Sequence, residues 1–321
     1  MKRAAALRAL LPLGVVLLLG CMFHRDGAFF EWDTHRAMLR EISVHGILAC
    51  GMTLVIVAGG IDLSVGSVLA LCAVAFALFT MPFAWSAALA IPCVLLIGTS
   101  AGALSGLLVA VSRIPAFIAT LAMMVFARGL AKELSGGKKI TAYDAAGSAS
   151  AHLPRIFEAI DHKIFGDNIA IVTLIFLASA AVCWLLLERL RVGRYLYAVG
   201  GNLEAARLSG VPVRATTVVA YALAGTLAAV AGICQAAQET HGDPETGLGY
   251  ELDAIAMVVL GGTSLAGGRG GIGLTLIGAL TLGYLQKILS LNAYSSEARL
   301  MLTGAILIGA VLFQRRLGGG E

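Results

Sequence analysis

Long apolar runs, separated by polar segments, follow one another along almost the whole chain. A helix needs about 20 residues to cross the hydrocarbon core of a bilayer, so runs near this length predict membrane-spanning helices. Several runs are shorter, which predicts broken or re-entrant helices whose open backbone is covered by protein or faces a water-filled cavity. The ten predicted spans are residues 9–23, 43–58, 65–81, 85–111, 115–131, 168–187, 216–236, 251–265, 271–288 and 299–313.

The composition supports a membrane protein. The 321 residues are 59% hydrophobic and 13% charged, whereas a soluble domain is about half apolar and about a quarter charged. We therefore predict an all-α polytopic membrane protein in which residues 1–321 form a single transmembrane domain. The apolar run that follows Lys2, Arg3 and Arg8 resembles a signal peptide. Because further membrane segments come after it, an uncleaved first helix is expected.

The positive residues predict the orientation in the membrane. Lys and Arg concentrate in cytoplasmic loops, and here they mark alternate loops, which places both termini in the cytoplasm. The longest loop, at about 132–167, then lies on the opposite side. The basic residues assigned to the cytoplasm are Lys2, Arg3, Arg8, Arg113, Arg189, Arg191, Arg194, Arg207, Arg214, Arg269, Arg315 and Arg316.

One apolar stretch is interrupted by a glycine pair, in VIVAGGIDLSVGSVLAL at residues 55–71. Gly59 and Gly60 can end a helix, because glycine adopts positive φ without a Cβ penalty. Asp62 or Ser64 can then accept hydrogen bonds from the free N–H groups of the next helix. Half-helix ends inside the membrane present polar groups to a solute in many transporters, so these residues are candidates for a substrate pathway. The alternative is that Asp62 is only a structural cap.

A second stretch echoes the first. GGTSLAGG at residues 261–268 shares the pattern GG-x-x-L-x-x-G with GGIDLSVG at residues 59–66, and both follow an apolar run. Transporters are commonly built from repeats, so Gly261 and Gly262 are a second candidate helix break. Whether the two copies are parallel or inverted stays open.

Three ionisable residues lie near predicted spans. Asp253 is a candidate for the substrate pathway, since charged residues within membrane segments are usually functional. A negative charge close to a helix start is also favoured by the helix dipole, which is the alternative interpretation. Arg128 and Lys287 are expected at helix ends, with their charged groups extending toward the interface.

The polar segment at 188–215 is predicted to be cytoplasmic. It contains GGNLEAARLSGVPVRATT, with a helix-prone stretch at Leu203–Ser209 that is closed by Gly210 and Pro212. Asn202 is a plausible helix N-cap. The residues that could contact a partner are Asn202, Glu204, Ala205, Ala206, Leu208 and Gly210. The alternative is an ordinary linker between two spans.

Enzymatic and metal-binding interpretations find no support in the sequence. The pattern G-x-x-x-x-G-K-[ST], which cradles nucleotide phosphates, is absent, and so is the zinc motif H-E-x-x-H. The six cysteines have no metal-ligand spacing. No histidine is predicted in the middle of a span, so an intramembrane base for a serine nucleophile is not expected. We predict neither a catalytic site nor a cofactor, and the net charge of +4 is too dispersed for a nucleic-acid partner.

Four separated stretches resemble the permease subunits of monosaccharide ABC importers of the ribose, xylose and galactose group. They are GMTLVIVAGGIDLSVGSVLAL (51–71), IPAFIATLAMM (114–124), GRYLYAVGGNLEAARLSGVPV (193–213) and ELDAIAMVVLGGTSLAGGRGGIGLTLIGAL (251–280). The likeness extends from about residue 40 onward, and it looks closest to the second permease of galactofuranose-type importers.

This resemblance implies a subunit that moves a monosaccharide into a bacterial cytoplasm across the inner membrane. The implied partners are an ATP-binding subunit docked on the short cytoplasmic helix near Ala206, a periplasmic sugar-binding protein, and a second permease of the same or a sister chain. One alternative is a secondary transporter driven by an ion gradient, which would need buried carboxylates such as Asp62 and Asp253. A membrane scaffold without transport is a third possibility.

Overall fold

The computed structural model describes residues 2–142, 153–295, 297–298, 301–302 and 304–305. Most of the predicted span 299–313 and part of the loop 132–167 lie outside these residues. Most of the described chain is helical, and its strands are only two residues long. Its helices are α1 Lys2–Met22, α2 Trp32–Val57, α3 Val65–Thr80, α4 Ala87–Ala110, α5 Ala116–Ser135, α6 Arg155–Asp161, α7 Ile171–Arg189, α8 Arg191–Gly201, α9 Leu203–Leu208, α10 Val213–Glu239, α11 Tyr250–Leu260 and α12 Ile272–Leu291.

Each predicted span from the first to 271–288 coincides with a helix, which confirms the all-α polytopic class. Among the described residues, five helices are long and apolar enough to cross a membrane: α2, α4, α7, α10 and α12. The apolar parts of α1 and α3 are shorter, over Ala9–Met22 and Val65–Thr80.

Helix α2 differs from its predicted span because it begins at Trp32 rather than near residue 43. The first turns are charged, so hydropathy alone does not include them. Their charges are paired: Arg36 lies 2.7 Å from Asp33, and Arg40 lies 2.6 Å from Asp161. This extension places His45 in the middle of a membrane helix, so the prediction that no histidine lies in mid-span was wrong.

Helix α11 is shorter than predicted. It stops at Leu260 and has 11 residues, a length of about 16 Å at 1.5 Å per residue. The hydrocarbon core is about 30 Å thick, so α11 does not span it. The predicted span 251–265 ran through the glycine pair at which the helix ends.

Helix α2 lies at the centre of the described bundle, where it contacts α7, α10, α11 and α12. Helix α10 packs against α3 and most extensively against α4. Small residues allow this close approach: a Cβ added at Gly102 would lie 2.1 Å from the Tyr221 carbonyl oxygen. Interfaces of this kind are typical of membrane helices.

Short strands pair the loops that the charge pattern predicted to share one side. Strand β1 (Ile140–Thr141) is antiparallel to β4 (His241–Gly242), and β2 (Lys163–Ile164) is antiparallel to β3 (Ile169–Ala170). We call this end the outer end, and the opposite end, with α8 and α9, the inner end.

Candidate functional site

The first helix break lies where the glycine pair predicted it. Gly59 has a φ of 83°. Its N–H donates to the Ile56 carbonyl at 2.9 Å, and the Gly60 N–H donates to the Val55 carbonyl at 2.9 Å. These two bonds form a Schellman motif, in which a left-handed glycine satisfies the last carbonyls of a helix. Helix α2 therefore ends at a defined residue rather than fraying.

The Asp62 side chain stabilises the turn that connects α2 to α3. The side chain is 1% exposed, and Oδ1 accepts hydrogen bonds from the Ser64 N–H at 2.9 Å and the Ser64 hydroxyl at 2.6 Å. Ser64 is the N-cap residue of α3, but its side chain makes no capping bond. The predicted cap on an N–H inside α3 was therefore wrong: Asp62 instead forms a turn that fixes the N-cap residue.

The second helix break uses the same motif at the end of α11. Gly262 has a φ of 93°. Its N–H donates to the Val259 carbonyl at 2.8 Å, and the Thr263 N–H donates to the Val258 carbonyl at 3.1 Å. The left-handed residue is the second glycine of the pair here, whereas Gly59 is the first. When the two stretches are aligned on their shared pattern, the left-handed glycines of the two breaks therefore differ by one position.

Both breaks meet the end of α8 in a contact that we call the glycine junction, formed by Gly59, Gly200, Gly267 and Gly268 with the Val57 carbonyl. The Gly268 N–H donates to the Val57 carbonyl at 3.0 Å. A Cβ at Gly200 would lie 1.9 Å from the Val57 oxygen, and one at Gly267 would lie 2.8 Å from the Gly200 oxygen. Backbone therefore packs directly on backbone, without side chains between.

A tyrosine adds a second attachment between α8 and the second break. The Tyr197 hydroxyl donates a hydrogen bond to the Gly270 carbonyl at 2.9 Å. Burial, together with the nearby charge of Glu188, raises the pKa of Tyr197. The hydroxyl consequently stays neutral and remains a donor. Sequence reasoning missed α8, because its mixture of glycine, arginine and tyrosine resembles a linker.

Helix α9 carries the predicted coupling residues. The Asn202 side chain accepts a hydrogen bond from the Ala205 N–H at 2.9 Å, which confirms it as the N-cap. Ala206 is only 5% exposed, so its predicted contact with a partner is wrong: the side chain packs within its own chain. Leu208 is 82% exposed and Leu203 is 55% exposed. The exposed members of the predicted set are Asn202, Glu204, Ala205, Leu208 and Gly210.

The segment that leads into α11 is fixed at the outer end. Arg128 donates to the carbonyls of Pro244 and Thr246, rather than extending to the interface as predicted. Asp243 lies 3.1 Å from Lys139. Burial acts to raise the pKa of Asp243, but hydrogen bonds from the Glu245 N–H and from Lys139, with nearby positive charge, lower it overall.

Asp253 lies in the first turn of α11, away from the glycine junction. It contacts His45, which the hydropathy pattern did not place in mid-helix. His45 Nε2 is 3.6 Å from Asp253 Oδ2. The His45 ring lies against the Tyr250 ring, with centroids 4.1 Å apart. Continuing the helical pattern outward from residue 43 to Trp32 would have placed His45 in mid-helix.

Comparison with known proteins places the chain among membrane permeases. A family model described as "Branched-chain amino acid transport system / permease component" matches residues 36–311. The ribose import permease protein RbsC of Escherichia coli K12 is 40% identical over 304 residues, covering 95% of this chain and 92% of the relative. The L-arabinose transport system permease protein AraH of the same strain is 38% identical over 314 residues, covering 95% and 89%. No solved structure shows significant similarity.

Proposed function

This chain belongs to the permease-component family of branched-chain amino acid transport systems, and on that premise we propose that it is the membrane subunit of an ABC importer for a monosaccharide. Two of the similar proteins are, by their names, a ribose and an L-arabinose permease, at about two-fifths identity over almost the whole chain. This supports a sugar rather than an amino acid. As a member of a permease family, the chain is not itself an enzyme.

The glycine junction is the observation that carries the proposal. An importer must convert events at a cytoplasmic ATPase into movement of the pathway helices. Here α8 touches the end of α2 and the loop that follows α11 through backbone contacts, and close-packed contacts transmit displacement because they have no slack. A shift of α8 is therefore expected to move both helix breaks together.

Helix α9 supplies the surface for the ATP-binding partner. Leu208 and Leu203 are large apolar side chains that are 82% and 55% exposed. They belong to a polar segment at the inner end, so membrane lipid does not cover them. Exposed apolar groups beside a polar segment mark interaction surfaces. The sequence lacks a phosphate cradle, so we assign ATP hydrolysis to the partner that covers these leucines.

The orientation of the chain in the membrane suggests where the other partners bind. We infer that the whole chain is one domain of the bacterial inner membrane, with both termini inside and the paired strands β1 and β4 outside. A periplasmic sugar-binding protein would then dock at the outer end, and a second permease, identical or a sister chain, would complete the pathway. Cysteines introduced as Ala205→Cys and Phe165→Cys, both at exposed positions, should be labelled from the cytoplasmic and the periplasmic side respectively.

Uptake by proteoliposomes tests the proposal against an ion-driven transporter. Vesicles containing the permease, its ATP-binding subunit and its sugar-binding protein should accumulate a labelled monosaccharide when ATP is supplied to the ATPase side. Dissipating the proton and sodium gradients should leave this uptake unchanged. Uptake that needs a gradient and proceeds without ATP would establish the alternative, in which buried carboxylates such as Asp62 bind the coupling ion.

A further inference from the structure

The start of α11 holds a polar cluster that the glycine junction does not explain. It consists of His45 on α2, Tyr250 and Asp253 on α11, Gln235 on α10 and Gln286 on α12. Gln286 lies within hydrogen-bonding reach of the Asp253 carboxylate, and Gln235 lies within reach of the Tyr250 hydroxyl. Four helices therefore contribute to one set of hydrogen-bonding groups.

This cluster lies about halfway across the membrane. His45 is 12 residues before the end of α2 at Val57, or about 18 Å from it. His45 also follows the first residue of α2, Trp32, by 13 residues, so about 18–20 Å of helix lies on each side of it. Because α2 is long enough to cross a membrane, this places the His45–Tyr250 contact near the midplane of a core about 30 Å thick.

The cluster is largely shielded from lipid by the surrounding helices. The side chains of His45 and Asp253 keep 15% and 20% exposure. Helix α2 contacts α7, α10, α11 and α12, so neighbouring helices cover most of the surface of these two side chains. Ionisable groups at membrane depth almost always face such an interior or a water-filled cavity.

The groups present match the chemistry of a sugar. A carboxylate accepts hydrogen bonds from two hydroxyls, while imidazole and amide groups can donate and accept. The Tyr250 and His45 rings, tilted by 38° with centroids 4.1 Å apart, offer apolar surface for the C–H groups of a sugar ring. A helix that begins at the midplane is also where transporters place a substrate site.

We propose that His45, Tyr250 and Asp253, supported by Gln235 and Gln286, form a contact site for the monosaccharide halfway along its path. This inference rests on the proposed function. It identifies the residues that hold the solute after the binding protein releases it, and it gives Asp253 a role beyond that of a charge at a helix start.

Two measurements on the intact protein test the site. The first is saturation-transfer NMR on the full chain in lipid nanodiscs, with D-ribose and L-arabinose as probes. The second is ATP-driven uptake of the same sugars by the complete importer. In His45→Gln and Asp253→Asn, both signals should fall about tenfold or more, since the first change removes the imidazole ring and the second removes the negative charge that accepts hydrogen bonds from sugar hydroxyls. Subunit assembly and the melting temperature should stay at wild-type values.

His35→Gln is the matched control. His35 lies on the same helix and also contacts an aromatic side chain, with its Nδ1 3.2 Å from the Tyr284 hydroxyl, but it lies ten residues before His45, or about 15 Å along the helix. This variant should bind and import like the wild type. Equal losses in His35→Gln, or normal uptake in both site variants, would overturn the site. Lost uptake with undiminished saturation transfer would also overturn it, because the pair would then move a proton or hold the helices.

The proposed function can fail separately. Wild-type vesicles that import neither D-ribose, L-arabinose nor other aldoses under ATP would refute the sugar importer. In that case, saturation transfer that depends on Asp253 would still support a sugar site, whereas its absence in the wild type would overturn this inference too.

Discussion

The two helix breaks are built alike at their backbones but differ in what fixes them. The first is closed: Asp62 is buried and bonded twice to Ser64, and the Tyr221 hydroxyl donates to the Ile61 carbonyl at 3.4 Å. The second, which we call open, has no buried carboxylate: Ser264 is the counterpart of Asp62 in the shared pattern, and the neighbouring Leu265 is 37% exposed. Its loop is held by main-chain bonds instead, from the Ser264 N–H to the Arg269 carbonyl and from the Gly267 N–H to the Ser264 carbonyl, both 3.1 Å. We infer that the first break is a fixed point and that the second has more freedom to move.

The largest effect is expected from a substitution that prevents the ATP-binding subunit from docking, because neither helix break would then be moved. Leu208→Glu puts a charge where an apolar side chain is proposed to bind the ATP-binding subunit. Co-purification of that subunit and sugar uptake should both fall at least about tenfold, since burying an unpaired charge at an interface is costly. Phe165→Glu, which changes an exposed aromatic residue at the outer end, is the control. Unchanged co-purification in Leu208→Glu would show that α9 is only a linker.

Substitution of Asp62 tests whether the two breaks differ in how firmly they are fixed. Asp62→Leu leaves the Ser64 N–H and hydroxyl without their acceptor in a buried position, which should destabilise the protein by about 1–3 kcal/mol. Asp62→Asn keeps an acceptor oxygen and should be milder. Ser264→Leu, at the equivalent position of the open break, should have little effect on the melting temperature.

Other outcomes would change the interpretation of the first break. If Asp62→Asn abolished uptake as fully as Asp62→Leu while folding normally, a negative charge rather than the turn would be the requirement. If Ser264→Leu destabilised the protein as much as Asp62→Leu, the two breaks would be equally fixed.

The sequence could predict the positions of the helices and both breaks, because apolar runs and glycine pairs are local signals. It could not predict the one-residue offset between the breaks. Tertiary packing decides where α2 and α11 end, and this determines that Gly59 and Gly262 are the glycines with positive φ. His45 was missed because paired charges precede it in α2. Ala206 was misassigned because an alanine in a polar helix gives no indication of which side it faces.

The smallest effect concerns the left-handed glycines. Gly59→Ala and Gly262→Ala each force a side chain into positive φ, which costs about 1 kcal/mol. A Cβ at Gly59 also meets Gly200 Cα at 3.4 Å, whereas one at Gly262 meets nothing within 4 Å. Gly59→Ala should therefore lower the melting temperature slightly more. A larger effect of Gly262→Ala would reverse the assignment of the fixed and the open break.

The central claim is that α8 drives both breaks through the glycine junction, and the ratio of sugar imported to ATP hydrolysed measures this most directly. Gly200→Ala should assemble and hydrolyse ATP, but its ratio should fall at least about tenfold, or about 1.4 kcal/mol of coupling. Its Cβ would enter the Val57 carbonyl, whereas a Cβ at the neighbouring helical Gly201 meets nothing within 4 Å. Gly201→Ala should therefore keep the wild-type ratio. A wild-type ratio in Gly200→Ala, or equal losses in both variants, would contradict the account.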